Sequence, residues 1–345
     1  MTKRTRLFLF FAGGILVAGL GTGLVASYMG IQNLVLIGSD GPAELAYVPA
    51  DARVVAYADV RQVMDSELRQ RLMQFEDRAA VGADRFAMET GIDVRTDVDR
   101  VLASLSLEDS NQRPLLLVRG RFDNSRIESL IRQHGGEAAE YQGVRMLTHP
   151  EGDMALAFAE PGLVAVGTGA AVRRAIETKV SGADVTDNAD VMRLVRNVDD
   201  GNAWAVARFD ALTGSQRLPE ELAKQLPAIT WFSASGNING GVQGVLHAEA
   251  RDEAAANDLR DVIRGFVALA RMQAGQRAGL ADLMNSFELG GQGTTVSLGF
   301  ALPGELLDMI GAMHADRTQP RESTPDATPA PDAAPAPEAA PAPSL

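Results

Sequence analysis

The sequence predicts an α+β protein: two diverged copies of an antiparallel-sheet module with helices packed on one face, preceded by one transmembrane helix. Three observations predict it. A long uncharged run follows a basic start, one strand-to-helix pattern recurs in the same order in two parts of the chain, and tight turn signals separate short β-rich runs.

The basic start is Lys3, Arg4 and Arg6, after which no charged residue occurs until Asp40. Leu7 to Tyr28 is apolar or small throughout, and at about 1.5 Å of rise per residue it is long enough to cross a hydrocarbon core of roughly 30 Å as a helix. Residues 1–30 therefore read as a cytoplasmic basic start and membrane anchor, with the bulk of the chain in the periplasm of a bacterial inner membrane. The competing reading is a cleaved secretory signal, for which Val25-Ala26-Ser27 supplies the small residues. Signal cores run about 7 to 15 apolar residues, shorter than this stretch. Gly19, Gly23 and Ser27 share one helix face and would let a second helix approach, a route to a homodimer. Glycine is also simply common in membrane helices.

After the anchor and tail are subtracted, roughly 270 residues remain, enough for one large or two modest cores. The chain has no cysteine, which removes disulfides, thiolate metal sites and thiol nucleophiles. Its net charge of −13 argues against nucleic acid as a partner, since phosphates demand a basic face.

The recurring pattern starts with Val55-Ala56-Tyr57-Ala58-Asp59-Val60, a strand ending in Asp, and its counterpart Val206-Ala207-Arg208-Phe209-Asp210-Ala211. Leu116-Leu117-Val118-Arg119-Gly120-Arg121-Phe122-Asp123 then leads into a helix through Ile127, Leu130 and Ile131. Val245-Leu246-His247-Ala248-Glu249-Ala250-Arg251-Asp252 likewise precedes Leu259, Val262, Ile263 and Phe266. Lastly, Leu163-Val164-Ala165-Val166-Gly167 precedes a helix through Val172 and Ile176, and Val296-Ser297-Leu298-Gly299 one through Leu306, Leu307 and Ile310. Module 1 is thus placed at 46–182 and module 2 at 200–314, with the junction near Asp184 to Asn188 and Asp199-Asp200-Gly201.

Hairpins set the pairing within each module. Asn237-Ile238-Asn239-Gly240-Gly241 is a strong turn, because Asn and Gly accept positive φ cheaply. Pro150-Glu151-Gly152-Asp153 and Glu160-Pro161-Gly162 join three more strands into a meander. Asp252 to Gln273 keeps helical spacing, with Arg260, Asp261 and Arg264 on its wet face. From Thr318 to Leu345, alternating Pro and Ala removes backbone donors and fixes φ, so residues 318–345 read as a disordered arm.

No motif names a chemistry. Gly167-Thr168-Gly169 lacks the third glycine of a dinucleotide loop and reads as a strand-to-helix turn with Thr168 as N-cap. His134-Gly135-Gly136 has no Gly-x-Ser-x-Gly nucleophile to serve and reads as a helix C-terminus. His149, Glu151 and Asp153, like Asp93, Asp97 and Asp99, lack metal-site spacing and read as turn and cap residues. Trp204 and Trp231 fall in strands and read as core. No catalytic, cofactor-binding or metal-ligating residue is therefore expected, and no cofactor.

Val48-Pro49-Ala50-Asp51-Ala52, Ala56-Tyr57-Ala58-Asp59-Val60, Ser66-Glu67-Leu68-Arg69-Gln70-Arg71, Gly91-Ile92-Asp93-Val94, Gly120-Arg121-Phe122-Asp123 and Gly201-Asn202-Ala203-Trp204-Ala205-Val206 resemble a family of uncharacterised bacterial membrane-anchored proteins. The resemblance spans most of the exported region. It implies a shared fold and location and carries no activity. The expected function is a membrane-anchored periplasmic binding or scaffold protein of the cell envelope, non-catalytic, with an envelope protein or a second copy as partner. The alternatives are an exported hydrolase using scattered carboxylates and a carrier of a lipid-like ligand.

Overall fold

The computed structural model describes residues 41–72, 84, 86–106, 113–149, 153–198, 201–208, 229–274 and 286–304. The apolar segment 7–28, the tail 318–345, Asp210, Glu151, the Asp199-Asp200 pair and the helix expected through Leu306 to Ile310 lie outside them. No helix among the described residues is long and apolar enough to cross a membrane.

Twelve strands form one antiparallel sheet in the order β11-β12-β10-β9-β8-β1-β2-β3-β7-β6-β5-β4. In chain order they are β1 (Ala52–Asp59), β2 (Val98–Ser106), β3 (Leu115–Gly120), β4 (Glu137–Tyr141), β5 (Val144–Thr148) and β6 (Met154–Glu160). Then come β7 (Leu163–Thr168), β8 (Ala203–Arg208), β9 (Ile229–Ile238), β10 (Gly241–Ala250), β11 (Glu288–Gly290) and β12 (Thr295–Pro303). The pairing of β1 with β8, in the register Val55↔Val206 and Tyr57↔Trp204, makes the sheet continuous across its middle. To one side of that seam the order runs β1-β2-β3-β7-β6, and to the other β8-β9-β10-β12-β11.

Seven helices of the described residues matter here: α1 (Val60–Met64), α2 (Glu67–Leu72), α3 (Val94–Asp97), α4 (Asn124–Gln133), α5 (Gly169–Ser181), α6 (Ala189–Val198) and α7 (Glu253–Ala274). Asp closes the strand and opens the helix repeatedly. Asp59 accepts from the Gln62 amide at 2.9 Å, Asp123 from Arg126 at 3.0 Å and Asp252 from Ala255 at 2.8 Å. Each carboxylate satisfies an amide that the first helical turn leaves without a partner. Gly120, which precedes the second of these Asp residues, is required by close approach, since a Cβ there would collide with the Asp97 carbonyl oxygen. Gln142 and Gly143 both hold positive φ, 49° and 80°, as the two-residue turn between β4 and β5 demands.

The expectation of helices on one face is corrected: in the β1–β7 half both faces are covered. Leu115, Leu117, Leu163 and Ala165 face a core built with α5, α6 and the entry turn Ala43–Tyr47. Leu116, Val118, Val164 and Val166 face a second core with Val60, Ile92, Ile127 and Ile131. The cause is in the sequence of β3 and β7, whose uninterrupted apolar runs leave no side of the strand fit for water. Beyond β8 the layers thin. One face of β9, β10 and β12 is covered by α7 at one end and by Leu68 of α2 at the other. The opposite face carries Ser233, His247 and Ser297 side by side across three strands.

His247 is half-buried in that row, and burial pushes its imidazole below the ordinary histidine range against the pull of Glu249. A lowered folded-state pKa means the unfolded chain binds the proton more readily. The contribution is therefore fully present above the unfolded value of about 6.5 and is lost as pH falls through the lower folded value. Urea melts between neutral and mildly acid pH should show a stability decline that is shallower in His247→Gln than in the native chain.

Candidate functional site

The chain brings apolar side chains and arginines together at one open place, between the second half of α7 and the β10-β12-β11 end of the sheet. The helix starts firmly. Asp252 caps it, held below the usual carboxylate range by the Ala255 amide and by Arg251. Ala255, Ala256 and Leu259 are buried against Ala248, Ala250 and Val296, with Phe232, Ile263 and Leu289 packed around them. Arg260 reaches the carbonyls of Gly293 and Thr295 at 3.0 and 2.9 Å, and so ties the helix to the β11–β12 turn.

Past Ile263 the apolar stripe of α7 continues but, among the described residues, its cover does not. A groove of about 560 Å³ opens there. Its helix side is Arg264, Val267, Ala268 and Arg271, and its sheet side is Phe287, Leu289 and Leu298. Phe287 leans on Phe300 with ring centroids 5.9 Å apart, which fixes one end of the floor. Arg264 meets Asp261 at 2.6 Å on the exposed surface, an i,i+3 contact that leaves the guanidinium at the mouth of the groove. Chemically this is an apolar trough with two cationic groups along one wall, suited to an apolar chain with a polar or acidic end. Among the described residues it offers no arrangement of nucleophile and base.

A second polar cluster lies on the other half of the molecule. Glu44, almost fully buried, pairs with Arg119, which also reaches Glu160 at 3.3 Å. The Tyr47 hydroxyl donates to Glu160 at 3.0 Å, and Lys179 sits 5.1 Å from the centre of the Tyr47 ring. Burial, and then the bond to Glu160, raise the Tyr47 phenol above its ordinary value. Burial alone would raise Glu160, but the bonds from Tyr47 and Arg119 and the charge of Lys179 more than offset it and hold the carboxyl low. Every member joins the entry turn to β3, β6 or α5, so the cluster acts as a clasp for the segment entering the domain. Asp51 with Arg174 at 2.8 Å, and Asn188 donating to the Ala50 carbonyl at 2.9 Å, extend that clasp.

The residues that the sequence singles out are placed as follows. Thr168 accepts from the Ala171 amide at 3.1 Å and caps α5, with Gly169 as its first residue. His134 ends α4, its Nδ1 lying 2.7 Å from the Leu130 carbonyl, and His149 reaches the His134 carbonyl at 3.2 Å. Asp93 caps α3 and binds Arg95, Asp97 accepts from the Asp93 amide, and Asp99 pairs with Arg61. No group of three or more metal-ligating side chains occurs among the described residues. Trp204 is buried and stacks on Tyr57 at 5.5 Å, and Trp231 packs against the same core. None of these residues lines the α7 groove. The signal that could have found it is the run of α7 itself, whose apolar spacing persists for 22 residues.

No known protein family and no curated protein matches the chain. Solved structures of TP0453 resemble it. Its crystal form III aligns with a TM-score of 0.46 at 10% identity, covering 79% of this chain and 100% of that one. Form IV aligns at 0.43 and 11%, covering 77% and 95%, and form I at 0.43 and 12%, covering 78% and 96%.

Proposed function

We propose that this chain is a membrane-anchored, non-catalytic binding protein of the bacterial cell envelope, and that it holds an apolar chain in the groove between α7 and the sheet. One observation carries the reading: the apolar stripe of α7 is seated on the sheet through Leu259 and then runs on beside an open trough lined by Val267, Phe287, Leu289 and Leu298. A helix that needed only to finish a core would end where its cover ends. The basic start and the uncharged stretch Leu7 to Tyr28 support residence at a membrane, with residues 46–182 and 200–314 outside it. We take those two regions as diverged copies. The matching strand orders on either side of the β1–β8 seam support this, as do the Asp caps after β1, β3 and β10.

Native mass spectrometry of the full-length protein, gently extracted from its own membranes, tests the reading. A bound amphiphile mass is expected. Ala268→Trp fills the trough from an exposed position, and should weaken binding of a fluorescent fatty-acid probe about tenfold, equivalent to about 1.4 kcal/mol, without lowering the unfolding midpoint. A partner protein at fixed stoichiometry with no small mass would replace this reading with a scaffold. Unchanged probe affinity in Ala268→Trp would remove the groove from it.

A further inference from the structure

The groove between α7 and the sheet has a capacity as well as a lining. Its floor runs into packed side chains at both ends. Leu289 joins the cluster that seats α7 through Ala256 and Leu259, and Phe287 joins the one around Phe300 and Leu302. Between them, Leu289 and Leu298 stand opposite each other on β11 and β12. An occupant therefore has the trough's own volume to fill, about 560 Å³.

A methylene takes up about 30 Å³, close to a water's share of the liquid, so the trough holds a chain of about 18 carbons. That is one acyl chain. The two chains of an ordinary phospholipid need about twice the space. Every methylene left outside in water weakens binding about fourfold relative to an apolar surrounding, so a diacyl lipid is better placed in a bilayer than here. The head group contributes less to the choice, because both arginines of the wall are already engaged, Arg264 with Asp261 at 2.6 Å. We infer that the groove selects by chain number: it takes one acyl chain of up to about 18 carbons with a polar head, as in a fatty acid or a lysophospholipid, and leaves diacyl lipids in the membrane. The inference rests on the binding reading of this groove and adds the class of its occupant.

The test is a competition. Full-length protein, stripped of bound lipid in mild detergent, is offered palmitate, palmitoyl-lysophosphatidylcholine and dipalmitoylphosphatidylcholine in equal amounts, and the retained masses are read by native mass spectrometry. One single-chain molecule per protein is expected, favoured at least about tenfold over the diacyl lipid. Whichever of palmitate and the lysophospholipid is retained identifies the source, and either upholds the inference. A series of lysophosphatidylcholines of graded chain length then measures the capacity. Retention should hold up to about 18 carbons and fall by up to about fourfold for each further methylene, which micelles would cover and the trough does not. Leu298→Ala removes three carbons from the floor and should move that limit about three carbons longer, a shift that unspecific adsorption would not show. Diacyl lipid retained as well as the single chains, or retention that does not fall with length, would overturn the inference and leave groove binding standing. Retention of no lipid of any class, or undiminished retention in Ala268→Trp, would instead remove the groove reading and this inference with it.

Discussion

Arg119→Ala is expected to destabilise the folded chain by about 3–5 kcal/mol, read as a fall in the urea midpoint at unchanged slope. The size follows from what remains behind. Glu44 is 1% exposed, its Oε2 has no hydrogen-bond partner among the described residues, and Arg119 supplies the opposite charge. Without the guanidinium a carboxylate is stranded in apolar surroundings next to Tyr47 and Leu45, and removing one partner of a buried pair costs far more than the pair itself is worth. A further outcome separates this cause from lost packing. Adding Glu44→Gln to Arg119→Ala should recover part of the lost stability at neutral pH.

Leu117→Ala is expected to cost about 2–5 kcal/mol, while Leu269→Ala should lie within about 0.5 kcal/mol of the native chain. The two leucines differ only in position. Leu117 is wholly buried on the strand between β2 and β7, where its loss opens a cavity that neighbours fixed in a paired sheet cannot collapse to fill. Leu269 is half exposed on the free side of α7, and its truncation removes little from any core. Thermal or urea melts of both variants side by side check the contrast. A large loss from Leu269→Ala would mean that this side of α7 is packed in solution.

What the sequence made legible is what local chemistry decides. Asp59, Asp123 and Asp252 stand between an apolar alternation and a helical one, and each is a cap because a short carboxylate reaches the third amide of a new turn. The Asn239-Gly240 turn and the β5-β6-β7 meander are equally local. The two-sided burial of β3 and β7 was present in Leu115-Leu116-Leu117-Val118 and Leu163-Val164-Ala165-Val166, and the one-face expectation gave those runs too little weight. The clasp could not be read, because Arg119 meets partners 75 and 41 residues away and only the finished sheet brings them together. The groove was half legible. The amphipathic spacing of α7 is plain, but where its cover stops depends on how far β11 and β12 extend beneath it.

The seam between β1 and β8 also sets an order of events. During synthesis the first seven strands emerge before β8, so Ala52–Asp59 holds an open edge until a partner some 150 residues downstream arrives. Until then the nascent half has one side of a strand ready to pair with any extended chain nearby, including another copy of itself. The closing step is a long-range one and correspondingly slow. A holdase that shields strand edges would act on this chain in that interval, and domain-swapped dimers joined through β1 and β8 are the misassembly its topology favours.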